Sequence, residues 1–290
     1  MLDLGLAELR RSILCLDWSR YGPDAWWHER ASLTRCLPDA EMAALKNLVR
    51  THLYGGPGLV VIRLGAAVPA DSVRLLQLAL ADRFGDILTV APDEPGRPLF
   101  KISAVEGQGG TGDYTGNAKN TNSIGLHTDG SGVSQPVAIL GMSCIRPARS
   151  GGESRFADAG IVRGLVSKAT LRLLESPLPR ENPYEAMPSA QLLVAPIFDP
   201  KNGRFSYHPA RVRNGIAQVR GALSAPEFDA LQELDRTLEA AAIDFRLETG
   251  DIVMLDNTRL AHDRRPFTDD PKAPRLLERL WIGFGQARES

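Results

Sequence analysis

The chain has 290 residues, of which 43% are hydrophobic, and its 34 Lys and Arg residues balance 35 Asp and Glu residues. This length fits one large domain, and the hydrophobic share is enough for a sizeable core. The basic residues occur as scattered pairs such as Arg10-Arg11 and Arg264-Arg265, which argues against an extended surface for polyanions. We therefore expect no nucleic-acid partner.

Cysteine usage and hydropathy indicate the compartment. Cys15, Cys36 and Cys144 are widely spaced and form no Cys-x-x-Cys pair, which argues against a disulfide framework or a cysteine zinc site. No apolar run approaches the length that crosses a bilayer. The apolar stretch 13–16 is too short for a signal peptide. The sequence thus predicts a cytoplasmic protein with no membrane partner, and it leaves an oligomeric assembly open.

Helices and one strand are predicted for the first part of the chain. Residues 39–53 have a helical apolar period that ends at a pair of glycines. Residues 59–64 form a β-branched run typical of a buried strand, and 71–84 predict a second helix. The segment 106–123 is rich in Gly, Asn and Thr and has no apolar period. It predicts a long loop, of the kind that often forms a lid.

Strands dominate from about residue 99. The candidates are 137–145, 191–198, 204–212, 245–247, 252–255 and 277–284. Ser224 and Glu227 form a capping box that opens a helical insert near 224–242, with an apolar stripe that begins at Phe228. Gly250-Asp251 is typical of a turn between two strands. This pattern predicts an α+β, mainly β chain: a β-sandwich or barrel with helices packed outside it.

Two histidines and one aspartate form the most informative motif. His127 and Asp129 lie two residues apart, a spacing that on an extended segment places both side chains on the same side. His262 is the best candidate for a third ligand, at the edge between a strand and a loop. Two imidazoles and one carboxylate hold non-haem Fe(II) and leave other positions open for oxygen chemistry. His-x-Asp alone is a common chance pattern, so the argument needs further residues.

Two arginines supply that continuation. On an extended strand, Arg275 and Arg279 share one face with Leu277 and Trp281. Guanidinium groups that point into a barrel are costly unless they meet anions. The sequence therefore predicts a bound dicarboxylate, and the alternative is a pair of surface arginines on an edge strand.

These motifs resemble those of the TauD/TfdA family of Fe(II)- and 2-oxoglutarate-dependent dioxygenases, in the clavaminate-synthase-like superfamily. The resemblance covers about residues 58–285 and rests on 58–64 with Arg83-Phe84-Gly85-Asp86, on 125–130, on Gly151-Gly152-Glu153-Ser154, and on Leu255-Asp256-Asn257 with His262 and 275–279. It implies a double-stranded β-helix (jelly-roll) core at about 58–285, within one domain over 1–290. A helical flank at about 1–57 and the insert near 224–242 complete that domain.

The resemblance also implies roles for individual residues. His127, Asp129 and His262 are implied to hold iron. Arg275 is implied to pair with the distal carboxylate of 2-oxoglutarate, because a guanidinium fork matches two carboxylate oxygens, and the Ser154 hydroxyl is implied to assist it. Arg279 is implied either to face an anionic substrate group or to support the cosubstrate pocket.

The activity that the resemblance implies is O2-dependent hydroxylation of an unactivated C–H bond, with release of succinate and CO2. The expected substrate is a small polar molecule, such as an amino acid or a natural-product intermediate, either free or tethered to a carrier protein. Asp129 favours hydroxylation or desaturation over halogenation, because related halogenases lack this carboxylate. The candidate substrate contacts are Tyr207, His208, Arg211 and Arg213.

Two other classes of protein stay open on the sequence alone. A cupin-like barrel could use the same two histidines and one aspartate to hold zinc for isomerisation, hydrolysis or ligand binding. Such a protein would not require Arg275 or Ser154. A catalytically silent interaction protein is the second alternative, although all three proposed ligands are intact.

Overall fold

The computed structural model describes residues 35, 37–88, 98–103, 122–132, 136–182 and 192–284. The predicted lid at 106–123 lies outside these residues except for Asn122 and Ser123, and the predicted flank at 1–57 is described from residue 35 onward, without residue 36. Within the described ranges, no helix combines the length and the apolar character that a membrane span needs.

Helices and strands both occur throughout the described part of the chain. The helices are α1 (Asp39–Tyr54), α2 (Ala70–Ala81), α3 (Ala159–Leu165), α4 (Lys168–Leu174), α5 (Pro209–Arg220) and α6 (Ala225–Ala241). The strands are β1 (Leu59–Arg63), β2 (Ile87–Leu88), β3 (Phe100–Ile102), β4 (Ile139–Arg146), β5 (Ser150–Gly151), β6 (Ser154–Asp158), β7 (Leu178–Arg180), β8 (Leu193–Ala195), β9 (Ile243–Phe245), β10 (Asp251–Asp256), β11 (Leu260–Arg264), β12 (Phe267–Thr268) and β13 (Leu276–Ile282).

The large sheet is antiparallel and has the order β1-β10-β4-β13-β2, with β3 also paired to β13. Its two faces are clearest in β13. Leu280 and Ile282 pack with α1 and α2, whereas Leu277 and Trp281 join the apolar cluster on the other face. Glu278 belongs to the helix-facing side, where Arg74 of α2 donates two hydrogen bonds to its carboxylate at 2.6 and 2.8 Å. The predicted division of this strand into two faces is confirmed.

The helical layer on the large sheet follows from the apolar period of its sequence. The stripe of α1 is fully buried at Met42, Leu45, Val49 and Leu53. The helix predicted at 71–84 is α2, which ends at Ala81 and continues as turns. Burial of these apolar side chains removes them from water and is the main force that holds the helices on the sheet.

The small sheet has the order β11-β6-β9 and packs face to face with the large sheet. Side chains of both sheets form one apolar cluster between them, for example Leu140, Met142, Phe156, Val253, Leu260 and Trp281. The predicted sandwich with helices outside is therefore confirmed. Gly250 does lie between β9 and β10, but Asp251 is the first residue of β10, and the two strands belong to opposite sheets.

Helices are more numerous in the second part of the chain than the sequence predicted. The strand predicted at 204–212 is wrong, because α5 begins at Pro209 and buries Val212 and Ile216, which lie four residues apart. Proline at the first helical position fixes a backbone angle that suits a helix. The predicted capping box of α6 is confirmed, with reciprocal hydrogen bonds between Ser224 and Glu227. Phe228 is exposed, however, and the buried stripe of α6 follows it.

Candidate functional site

His127 and His262 meet across a single antiparallel bridge. The backbone N–H of each donates to the carbonyl of the other, at 3.0 and 2.8 Å, and the ring centroids are 4.5 Å apart. The sequence predicted His262 at a strand-to-loop edge, but it lies in the middle of β11. Because Leu260 points into the space between the sheets, His262 two residues later points there as well.

Asp129 completes the cluster. Its Oδ1 lies 3.7 Å from His127 Nε2 and 3.8 Å from His262 Nε2. Metal–ligand bonds of roughly 2 Å place neighbouring donor atoms about 3 to 4 Å apart, so these three atoms could share one divalent ion. All three side chains are buried, and no other group of three such ligands occurs in the described part of the chain.

The backbone around Asp129 is held by the side chain of Asn257. The Asn257 Oδ1 accepts from the Asp129 N–H at 2.9 Å, and its Nδ2 donates to the carbonyls of Asp129 and Val137 at 3.0 and 2.9 Å. Thr128 points away from the cluster, and its hydroxyl accepts from the Tyr207 N–H at 2.9 Å. Both contacts fix the direction of the Asp129 side chain.

Both imidazoles present Nε2 to Asp129 Oδ1. Only a protonated Nδ1 can pair with a carbonyl, so His127 Nδ1 donates to Gly125 O at 2.9 Å and leaves its Nε2 lone pair for a metal. Burial, together with His127, lowers the pKa of His262 to about 3. A neutral imidazole is the form that binds metals, so the donor set fits Fe(II).

The carboxylate of Asp129 is balanced on its second side. Its Oδ2 accepts from Trp281 Nε1 at 2.7 Å, and Arg279 Nη1 lies 3.1 Å from Oδ2 and 3.3 Å from Oδ1. Burial alone would raise the pKa of Asp129, but Arg279 and the two imidazoles outweigh it and hold that pKa well below its usual range. The Arg279 guanidinium also lies over the rings of Phe100 and Trp281.

Arg275 lies in a separate pocket between the sheets. It is only 3% exposed, and the pocket is lined by apolar and small residues, among them Cys144, Leu247 and Leu277, together with Arg246. Its Nη1 has no hydrogen-bond partner in the described part of the chain. Burial, and then the charge of Arg264, lowers its pKa to about 10. A buried donor of this kind is costly until an anion pairs with it, so the residue fits a carboxylate ligand.

Gly151 and Gly152 explain why this pocket is open. Both have positive φ angles, of 71° and 73°. A Cβ atom on Gly151 would lie 2.4 Å from Pro266 O, and one on Gly152 would lie 3.3 Å from Phe267 Cβ and 3.6 Å from Arg275 Nε. Glycine therefore lets β5 approach β12 closely and leaves space beside the guanidinium.

The structure does not join Ser154 to Arg275. Ser154 is buried at the start of β6, on the same side as Phe156, but within the described residues its hydroxyl makes no hydrogen bond to Arg275. Arg279 lies beside the Asp129 carboxylate and thus belongs to the metal cluster. The six residues implied by the resemblance thus form a metal end (His127, Asp129, His262 and Arg279) and an anion end at Arg275, and within the described residues no hydrogen bond joins the Ser154 hydroxyl to either end.

Among the four candidate substrate contacts, only His208 packs directly against the cluster. Its ring centroid is 5.1 Å from that of His127, and burial holds its pKa well below its usual range, with further contributions from His127 and Arg211. Tyr207 and Arg213 instead bind Asp235 of α6, at 2.6 and 2.5 Å. Their polar atoms tie α5 to α6.

Two buried imidazoles and one carboxylate between two packed sheets form a donor set that could hold one metal ion, the set that non-haem Fe(II) oxygenases use. The chain belongs to the TauD/TfdA family: the family model described as "Taurine catabolism dioxygenase TauD, TfdA family" matches residues 33–281. It is therefore an Fe(II)- and 2-oxoglutarate-dependent dioxygenase that uses O2, and its core is a double-stranded β-helix. Both alternative classes of protein are set aside by this membership.

Known proteins similar to this chain include two named dioxygenases and an asparagine oxygenase of solved structure. "Dioxygenase str8" of Strobilurus tenacellus is 27% identical over 232 residues, which cover 74% of this chain but only 49% of that protein. "Uridine-5'-phosphate dioxygenase" of Streptomyces sp is 28% identical over 244 residues, which cover 74% of this chain and 84% of that protein. An asparagine oxygenase, solved with Fe(II), 2S,3S-3-hydroxyasparagine and succinate, has a TM-score of 0.74 at 20% identity, over 99% of this chain and 94% of that one.

Proposed function

We propose that the protein hydroxylates an unactivated C–H bond of a small anionic substrate of the amino-acid class, with Fe(II) held by His127, Asp129 and His262. The observation that carries the proposal is the approach of three buried donor atoms from two distant chain segments. In the proposal, Arg275 binds the distal carboxylate of 2-oxoglutarate. The supporting role of Ser154 stays a prediction.

The bound metal with 2-oxoglutarate and O2 supplies the oxidising chemistry, from which succinate and CO2 are formed. The residues of the chain supply position and charge. Trp281 holds Oδ2 of Asp129 and Arg279 lies against both of its oxygens, while Oδ1 faces the imidazoles. Arg275 is buried beside Cys144, Leu247 and Leu277, and burial strengthens the attraction between a guanidinium and a carboxylate.

An anionic substrate is proposed on two grounds. The Arg279 side chain keeps 21% of its surface exposed beside Asp129, so its guanidinium can meet a second negative group. Two of the named relatives also have names that include a molecule with such a group, because asparagine has a carboxylate and uridine-5'-phosphate has a phosphate. The amino-acid class is preferred because the asparagine oxygenase shares the fold over 99% of this chain.

Anaerobic titration tests the cofactor part of this proposal. Addition of Fe(II) and then 2-oxoglutarate to the purified protein should produce a weak visible charge-transfer band, and substrates that enter the site should shift it. Amino acids, with uridine-5'-phosphate as the contrasting class, are then screened for substrate-dependent succinate formation. No band would contradict the assignment of the metal ligands. A band that only the nucleotide shifts would contradict the amino-acid class.

A further inference from the structure

Arg264 lies two residues after His262 on β11 and follows the same alternation. Leu260 and His262 point into the space between the sheets, so Arg264 lies on that side as well. In the register of the small sheet it stands opposite Ser154. From the sequence alone, Arg264 was noted only as a member of the basic pair Arg264-Arg265.

Arg264 and Arg275 share one aromatic ring. The guanidinium carbon of Arg264 is 4.6 Å from the ring centroid of Phe267, and that of Arg275 is 5.3 Å from it. Arg264 Nη2 also donates to the carbonyl of Asn122 at 2.6 Å. Two cations from different parts of the chain therefore meet beside one pocket.

Their proximity is unfavourable without an anion. Like charges in a partly buried space repel each other, and each disfavours the charged form of the other. The charge of Arg264 is the second cause, after burial, that lowers the pKa of Arg275 to about 10. A doubly contacted carboxylate would reverse the sign of this interaction and satisfy the unpaired Arg275 Nη1.

We propose that Arg264 is a second cationic contact for the distal carboxylate of 2-oxoglutarate and helps the pocket to select dicarboxylic over monocarboxylic keto acids. This inference rests on the proposed role of Arg275. Phe267 is the shared surface that keeps both guanidinium groups at the same carboxylate.

The test compares two keto acids of equal chain length that differ in the distal group. Calorimetric binding of 2-oxoglutarate and of 2-oxopentanoate is measured anaerobically on the Fe(II) enzyme. Arg264→Gln should weaken 2-oxoglutarate binding about tenfold and leave 2-oxopentanoate binding unchanged, because only the former has a carboxylate for Arg264. Arg264→Lys keeps the charge but loses the fork, and should weaken 2-oxoglutarate binding about threefold.

Arg265→Gln is the matched control. Arg265 is the next residue along the chain, but its side chain binds Asp244 and Glu239 on the outside of the small sheet, so both affinities should stay at the wild-type value. Equal losses for the two keto acids in Arg264→Gln would assign Arg264 a structural role and overturn the proposal, as would no loss at all. If Arg264→Gln does not fold, Arg264→Lys decides, and no selective loss overturns the proposal.

Arg275→Gln separates this inference from the proposed function. If it weakens 2-oxoglutarate binding strongly while Arg264→Gln does not, only the second contact is wrong. If Arg275→Gln binds 2-oxoglutarate like the wild type, the cosubstrate anchor itself is wrong.

Discussion

The two ends of the site differ in how their charges are satisfied. At the metal end, the Asp129 carboxylate already has Trp281 and Arg279 as partners, so the protein balances the charge of its own ligand. At the anion end, Arg275 is buried, its Nη1 has no hydrogen-bond partner among the described residues, and a second arginine lies nearby. The charged group at the metal end therefore has its partners before a ligand binds, whereas the charged group at the anion end gains its partner only when an anion binds.

This difference implies opposite consequences for stability. A buried group that already has its partner stabilises the fold, and removal of one partner leaves the other unsatisfied. A buried cation without an anionic partner destabilises the ligand-free protein, and the same cation strengthens the binding of an anion. Variants at the two ends should therefore differ in their effect on the free energy of unfolding and on the affinity for 2-oxoglutarate.

The largest effect is expected for Asp129→Ala. Loss of the third ligand should reduce 2-oxoglutarate-dependent turnover to below about one-hundredth of the wild-type rate, because two imidazoles hold the metal loosely. Succinate formation and Fe(II) binding are measured together. Asp229→Ala, which removes an exposed carboxylate from α6, is the control and should keep full activity. Full activity in Asp129→Ala would remove this residue from the ligand set.

Arg275→Gln should weaken 2-oxoglutarate binding about 100-fold, since it removes a buried charged partner of the ligand. The same variant should leave the metal-free protein as stable as the wild type or more stable by about 1 kcal/mol, because a poorly solvated charge is gone. Calorimetry gives the affinity, and chemical unfolding of the metal-free protein gives the stability. A clear loss of stability would contradict the description of this end as incomplete without an anion.

Arg279→Gln should change the stability of the metal-free protein in the direction opposite to that expected for Arg275→Gln. It leaves the buried Asp129 carboxylate with a weaker set of partners, so we expect the free energy of unfolding to fall by about 2 kcal/mol. Unfolding in denaturant measures this change beside Arg275→Gln under the same conditions. If the two variants change stability in the same direction, the contrast between the two ends is wrong.

Local patterns predicted much of this molecule. The apolar period of α1, the capping box of α6 and the two faces of β13 all depend on residues within a few positions of one another. The start of α5 was missed because Phe205 and Tyr207 alternate like a strand, while Val212 and Ile216, which hold the helix in place, come later. Pro209 was the local signal that could have corrected the prediction.

Long-range contacts in the site were not predictable in the same way. The sequence placed Trp281 on the face of Arg279, but nothing local shows that its indole N–H ends at Asp129, 152 positions away. Arg264 has the same alternation as His262, yet its neighbour Arg275 comes from another strand. The role of Asn257 depends on the meeting of three separate chain segments. Sequence motifs thus identify the candidate site residues, whereas their contact partners depend on how the two sheets pack.

Trp281→Phe is expected to have the smallest effect and tests the metal end alone. It keeps the aromatic ring under Arg279 but removes the N–H that binds Asp129 Oδ2 at 2.7 Å. Loss of a partner that orients a metal ligand should weaken Fe(II) binding about tenfold. At saturating Fe(II), the affinity for 2-oxoglutarate should stay unchanged, because Arg275 and its pocket are untouched. An equal loss in both affinities would mean that the two ends are coupled through β13.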